Sequence, residues 1–354
     1  MADPIMKIRR FQEINLQDPF FDSLKQDYQG FAAWFAKKAT ETAYVFEDAG
    51  KVHGFLYLKQ EQGSVNDVQP PLPAKRYLKV GTFKIDAHGT RLGERFLKKV
   101  FDHAIEATNE AIYVTIFPQH QGLISIFKKF GFEKAAEKTI PTGIEDVYVR
   151  TLDTHTGDPI KDYPFIHTKT GSNFLLSIYP DFHTRLFPDS ILKNESNEIY
   201  DLIKDISHTN SIHKIYLCRM KGADQLKRGD KLLIYRTSDN QGPARFRSVA
   251  TSVCVIEEFR NIHQFSSLAE FEKYCAPYSV FSRTELQNFY TSKKYPYLIK
   301  MTYNGAFKKR VIRDDLIKLV GLDENEYWGF MALSNSQFTH TLKLGNINAN
   351  IVID

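Results

Sequence analysis

Hydrophobic positions along the first half of the chain switch between two periods. Residues 6–11 alternate as a strand, and residues 20–38 carry Phe21, Leu24, Tyr28, Phe31 and Phe35 at helical spacing, which predicts one amphipathic helix. Two strands follow at 43–47 and 53–59, joined by a turn at 48–51, and then a polar stretch, 60–75, whose Pro70-Pro71-Leu72-Pro73 predicts a loop. A strand at 77–85 runs into a turn bearing Gly89 and Gly93 and an amphipathic helix from Gly93 to about 107. Residues 112–117 read as a buried strand, 121–130 as a short helix closed by Gly131, and 147–152 as a last strand.

The pattern changes after residue 152. Residues 153–164 are polar and turn-rich, with Gly157, Pro159 and Pro164, and are expected to link a domain at 1–152 to one at 165–354. The second half has short strands at 215–219, 231–235, 247–257 and 297–303, and short helices near 268–274, 283–289 and 313–319. That alternation predicts a barrel-like α+β module. The aromatic and proline-dense block 178–188, including His183 and Arg185, is expected to serve structure at the start of that barrel.

Composition narrows the class. At 354 residues, 42% apolar and 25% charged, the chain suits two soluble domains. It has no apolar run of about 18 residues and no signal-like N-terminus, so a cytoplasmic protein with no membrane contact is expected. Met6, just before a strand-like run, marks residues 1–5 as a candidate cloning remnant. Cys218, Cys254 and Cys275 form no CxxC pair and the histidines show no HxxxH or HExxH spacing, so reduced thiols and no metal are expected. A formal charge of +5 permits a nucleic-acid partner without requiring one.

Chemistry concentrates in the turn His88-Gly89-Thr90-Arg91-Leu92-Gly93. A strand, a glycine turn and a helix start aim backbone N–H groups at one point, which favours an anion such as pyrophosphate. This turn and the segment Ile126-Phe127-Lys128-Lys129-Phe130-Gly131-Phe132 resemble two motifs of the GNAT family of acyl-CoA-dependent N-acetyltransferases. The resemblance covers about residues 6–152 and implies an α/β fold with a mixed, splayed central sheet. It also implies acetyl-CoA as acyl donor, with the pyrophosphate lined by His88, Gly89, Thr90, Arg91, Leu92 and Gly93. Backbone groups of Phe83 and Ile85 would meet the acetyl-pantetheine arm, and Lys129 would approach the 3′-phosphate.

Three residues depart from the family pattern. His88 stands where Arg or Gln is usual, and Arg91 stands at the middle glycine, either as an added phosphate contact or pointing to solvent. Phe127 occupies the position of the tyrosine that often protonates the leaving thiolate, and phenylalanine cannot donate a proton. His120, and Asp86 and His88 beside the turn, are the remaining catalytic candidates, with Tyr113 and Tyr148 as strand tyrosines that could reach the cleft. Two readings follow: catalysis by proximity and amide polarisation, or a degenerate domain that only binds or senses acyl-CoA.

In the second half, Lys227-Arg228-Gly229-Asp230 before an apolar strand resembles PUA-like domains of the ASCH/EVE type. That resemblance implies an RNA surface, for which Arg219, Lys221, Lys227, Arg228, Arg236, Arg245 and Arg247 are the candidate contacts. Lys308, Lys309, Arg310 and Arg313 form a second basic group, and Trp328 is either core or a base-stacking wall. Together the two resemblances imply an N-acetyltransferase with an RNA-linked acceptor: a tRNA, an aminoacyl-tRNA or a ribosome-associated protein.

Overall fold

The computed structural model describes residues 5–48, 50–86, 91–187, 190 and 211–354, and the chain divides into two compact units, Met1–His155 and Thr156–Asp354. Among the described residues no helix is long and apolar enough to cross a membrane.

The first unit is built on one mixed seven-stranded sheet in the order β1-β2-β3-β4-β5-β7-β6. Its strands are β1 (Ile5–Arg10), β2 (Thr42–Asp48), β3 (Lys51–Val65), β4 (Leu72–Ile85), β5 (Ala111–Ile116), β6 (Glu133–Ile140) and β7 (Gly143–Thr151). Only β4 and β5 are parallel neighbours. Helix α1 (Asp22–Asp27) and helix α2 (Phe31–Lys37) lie on one face, where Phe11, Phe21, Phe31, Phe35, Val45, Phe55 and Tyr57 form a core. On α3 (Leu92–Glu106), Phe96, Leu97, Val100, Phe101 and Ala104 are buried, the stripe expected of an amphipathic helix. Helix α4 (Gln121–Lys129) joins the same layer, and Gly131 ends it at φ +80°.

Three expectations are corrected here. The single helix over 20–38 is two, because Gly30 sits at φ +81° and Tyr28 is extended (φ −123°, ψ 103°). The loop over 60–75 is largely the end of a long β3–β4 hairpin, paired from Gly63↔Lys75 to Val65↔Leu72. Pro73 is tolerated because it stands at the second residue of β4, where a missing N–H costs little. Strand β6 went unseen because it is an edge strand whose only buried residue is Ala136, so it has no apolar alternation to read.

The feature that shapes this sheet is a bulge at Gly81. Consecutive β3 residues Tyr57 and Leu58 pair with Thr82 and Val80, leaving Gly81 as the extra residue on β4. A Cβ there would lie 2.6 Å from the Tyr57 ring, so no larger residue fits without displacing it.

In the second unit six strands follow the order β10-β13-β12-β11-β9-β14, with ranges β9 (Asn173–Ile178), β10 (His213–Cys218), β11 (Lys231–Arg236), β12 (Val249–Asn261), β13 (Tyr297–Ile312) and β14 (Phe330–Leu333). Two short strands, β8 (Ile166–His167) and β15 (Val352–Ile353), pair separately. The expected barrel is not closed by strand pairing among the described residues; β10 and β14 are edges. Helix α5 (Pro180–Leu186) occupies the aromatic block and buries His183 and Leu186. Helices at Leu268–Cys275, Arg283–Ser292 and Arg313–Lys318 stand where the pattern predicted them. The three cysteines are free and buried.

Substitution Gly81→Val is expected to lower stability by about 1–3 kcal/mol through overpacking against Tyr57. Urea unfolding would show a lower midpoint at unchanged slope. An unchanged midpoint would contradict the role given to Gly81.

Candidate active site and ligand cavity

Beyond the bulge the two parallel strands part company. β4 and β5 pair only from Tyr77↔Ala111 to Val80↔Val114. Past that point β4 stays with β3 through Leu56↔Phe83 and Gly54↔Ile85, while β5 stays with β7 through Thr115↔Val147 and Ile116↔Asp146. The β5-facing edge of Thr82–Ile85 therefore has no strand partner among the described residues, and its backbone groups need one from elsewhere.

Helix α3 starts just past this edge. His88, Gly89 and Thr90 lie outside the described residues. Arg91 is the N-cap in the left-handed region (φ 55°) and gives no side-chain cap. Among the described residues the first backbone bond of the helix is Arg95 N–H to Arg91 O, and the amides of Leu92 and Gly93 belong to the first turn, whose N–H groups have no partner within the helix. Gly93 also serves packing: a Cβ would lie 2.8 Å from Ile126 Cδ1 and 3.2 Å from Ile85 Cδ1, so the glycine lets α3 approach both β4 and α4. Leu92 is buried.

The side chains of the other cofactor candidates point elsewhere. Phe83 is buried in an aromatic group with Phe96 at 5.7 Å and Phe127 at 5.4 Å, leaving its backbone for a ligand. Phe127 itself is fully buried and packs on Phe132 at 4.8 Å, so its place is core. Lys129 forms a 3.2 Å ion pair with the buried Glu94 in the first turn of α3.

The catalytic candidates Asp86 and His120 are not brought together by any hydrogen bond or ion pair among the described residues. Asp86 lies 3.7 Å from His53 Nδ1, and His120, the N-cap of α4, lies 3.9 Å from Asp27. Tyr113 sits on the paired part of the seam and donates to Glu61; burial first, then Glu61, raises its phenol well above the ordinary range. With Lys59, Lys79 and Asp67 it lines an open polar cavity of about 500 Å³. Tyr148 points to Asp146 at 3.4 Å.

A pair that the sequence reading missed lies on the α1 face. The Tyr28 hydroxyl donates to Glu145 Oε1 at 2.7 Å, and the Tyr28 ring sits 5.4 Å from that of Phe117. Burial first, then Glu145, raises the Tyr28 phenol far above its ordinary value. The α1 segment is fixed on both sides of the seam: Lys84 of β4 reaches Ser23 Oγ at 2.6 Å, and Thr142 Oγ1 donates to Asp27 O at 2.7 Å. The signal that could have exposed the pair is Gly30, whose helix break turns Tyr28 out of the helical stripe.

No family model and no curated protein matches the chain. Solved structures similar to parts of it include an N-acetyltransferase from Staphylococcus aureus Mu50, at 14% identity and TM-score 0.33, covering 42% of this chain and 99% of that one. An N-acyl amino acid synthase from uncultured soil microbes is similar at 12% identity and TM-score 0.32, covering 42% and 94%. An ASCH protein from Zymomonas mobilis is similar at 8% identity and TM-score 0.32, covering 49% and 95%.

The second unit holds an open cavity of about 1000 Å³ between β9, β11, α5 and the segment before β14. Tyr179, Tyr235, Tyr327 and Trp328 supply aromatic surface, and Arg236, Arg247 and Arg313 line it as cations. The Arg313 guanidinium lies 4.3 Å from the Trp328 ring centroid and the Tyr235 ring 5.3 Å from it, and Trp328 Nε1 donates to Asp323 O; buried in this way, the indole is core rather than a stacking wall.

Of the seven RNA candidates, Arg236 and Arg247 line this cavity; Arg247 is held by Asp239. Arg245 is engaged by Asp314 at 2.5 Å and Glu324 at 3.2 Å, and Arg228 by Asp158 at 2.7 Å. Arg219, Lys221 and Lys227 are exposed in the β10–β11 connection and do not line the cavity. Asp230 explains the Gly-Asp turn: it accepts from Ser172 N and Lys227 N, both at 2.8 Å, tying the turn to the start of β9.

His183 is fully buried beside this site and bonded to Thr251 Oγ1 at 2.8 Å, and burial, then the fields of Arg236 and Arg310, push its pKa down to about 3. An unfolded histidine titrates near 6.5, so the unfolded chain binds a proton that the folded one refuses between those values. The stabilisation is complete above pH 6.5 and is lost as pH falls towards 3. Unfolding measured from pH 7 to 4 should lose up to about 1.4 kcal/mol per pH unit through this group. The His183→Asn variant should lose correspondingly less, and identical slopes would contradict the assignment.

Proposed function

We propose that the first unit is an acetyl-CoA-dependent N-acetyltransferase of the GNAT type, and that the second is a PUA-like module of the ASCH/EVE type that binds RNA. The observation that carries the first half is the parting of β4 and β5 at the Gly81 bulge, directly before the uncapped start of α3. A splayed seam of this kind offers the unpaired edge of Thr82–Ile85 to the amides of a pantetheine arm, as an extended chain pairs with a sheet edge. The amides at the head of α3 suit the pyrophosphate. The domains on this reading are 1–152 and 165–354, with 153–164 between them.

The reaction needs the amine and the thioester held together and the developing oxyanion stabilised, and backbone N–H groups of β4 beside the bulge are suited to both. Phe127 supplies no proton, so the leaving thiolate takes its proton from another donor. The aromatic cavity of the second unit supports an RNA-linked acceptor: a tRNA, an aminoacyl-tRNA or a ribosome-associated protein. Tyr179 and Tyr327, both exposed, offer stacking faces, while Arg236, Arg247 and Arg313 suit phosphate or base edges. A second reading, a nucleic-acid-binding regulator whose first unit only senses acyl-CoA, is favoured by the burial of Phe127.

Isothermal titration with acetyl-CoA is expected to give saturable binding, and no heat at millimolar ligand would remove both readings of the first unit. Turnover of bound acetyl-CoA on tRNA, followed by mass spectrometry, would then separate enzyme from sensor. For the second unit, anisotropy with a labelled single-stranded RNA should show binding that Tyr327→Ala weakens by about 1–3 kcal/mol. Its salt dependence should be shallow, about −0.7 in log–log slope per phosphate engaged. Equal RNA affinity of wild type and Tyr327→Ala would contradict the stacking role.

A further inference from the structure

Among the described residues the buried glutamates are Glu94, Glu145 and Glu257. Glu94 faces Lys129 at 3.2 Å, and Glu257 faces Lys300 and His213, each at 2.6 Å. Glu145, only 3% exposed, forms no ion pair among the described residues and receives a single hydrogen bond, from the neutral Tyr28 hydroxyl. A buried carboxylate without a countercharge is costly, and structure alone gives no return for it.

Its place suggests what completes it. Glu145 stands one residue before Asp146, the partner of Ile116 at the end of β5, so it lies where β5 has already left β4. It shares the α1 side of the sheet with Tyr28, which packs against Phe117. The charged groups on the elements packed about the pair are Asp27, next to Tyr28, with His120 3.9 Å from it, Lys84, bonded to Ser23 of α1, and Lys138, the register partner of Glu145 on β6. Lys138 is held by Asp67 at 2.6 Å, and Lys84 by the α1 segment. None of these cations neutralises Glu145.

We propose that Glu145, with the Tyr28 hydroxyl beside it, receives a primary ammonium group, the acceptor amine of the reaction, and takes its proton. The assignment rests on the acetyl-transfer reading for its chemistry, though not for its binding. In the balanced step the ammonium gives one proton to Glu145, the freed lone pair forms the C–N bond to the acetyl carbon, and the C–S bond breaks. The second departing N–H proton leaves with the thiolate as coenzyme A thiol. The raised phenol of Tyr28 keeps it a donor throughout.

The test uses the full chain and n-butylammonium chloride as probe, against sodium chloride at equal ionic strength. The thermal midpoint of the wild type should rise saturably with butylammonium. The apparent dissociation constant should weaken at least ten-fold in Glu145→Gln, which itself should unfold at the same temperature as the wild type or higher. A rise equal in both proteins, no butylammonium-specific rise, or a Glu145→Gln midpoint several degrees below wild type would overturn the proposal; the last would make the pair a structural tie. Tyr28→Phe is the second variant. Loss of the competing donor should tighten butylammonium binding by about three-fold or more, and an unchanged constant would overturn the assignment. Acetyl-CoA titration of the same samples separates the two ideas. Ammonium binding without acetyl-CoA binding sinks acetyl transfer alone, whereas acetyl-CoA binding without ammonium binding sinks the Glu145 assignment alone.

Discussion

One residue against one ring governs the first unit: Gly81 sits where the Tyr57 ring leaves no room for a Cβ. That contact places the extra residue of the bulge on β4, between the pairs Tyr57↔Thr82 and Leu58↔Val80. A bulge bends its strand and increases its twist. β4 therefore stays with β3 and abandons β5 after Val80, and a sheet that would otherwise be continuous acquires an unpaired inner edge. Everything proposed for the site follows from this edge. Thr82–Ile85 has backbone groups to offer, α3 begins just past it, and α1 is tethered to β4 through Lys84 and to the β6–β7 turn through Thr142.

The division of labour within the site is physical. On the α3 side the walls are apolar, with Phe83, Phe96 and Phe127 in mutual contact and Gly93 admitting Ile126. That layer positions backbone and excludes water but moves no protons. On the α1 side stand Tyr28, Glu145, Asp27, Lys84 and His120, where titratable groups gather. On the proposed function, binding of a donor and handling of protons would fall on opposite faces of one sheet.

Much of this was legible in sequence, and the failures have causes. Helix α3 was readable because its stripe is long and regular, and the end of α4 because Gly131 must adopt a positive φ. Gly81 was invisible as a bulge, since nothing local says that the ring of Tyr57 will lie over it. Tyr28 was misread as one more apolar position in a 20–38 helix, because periodicity does not register a break at a single glycine. Glu145 lies in a polar stretch beside an edge strand, where burial comes only from tertiary packing. In the second unit, counting cations overestimated the free positive surface: Arg228, Arg245 and Arg247 are engaged by Asp158, Asp314 and Asp239. The exposed aromatic surface there comes instead from Tyr179 and Tyr327, which a charge count does not see.

The central claim is that the parted edge of β4 and the head of α3 hold acetyl-CoA. Amide hydrogen exchange of the intact protein, with and without saturating acetyl-CoA, tests it at the residues concerned. Slowed exchange is expected in peptides spanning 81–86 and 91–94, where amides outside the sheet and helix ladders gain partners. Unchanged exchange in those peptides, with protection confined to other parts of the chain, would contradict it.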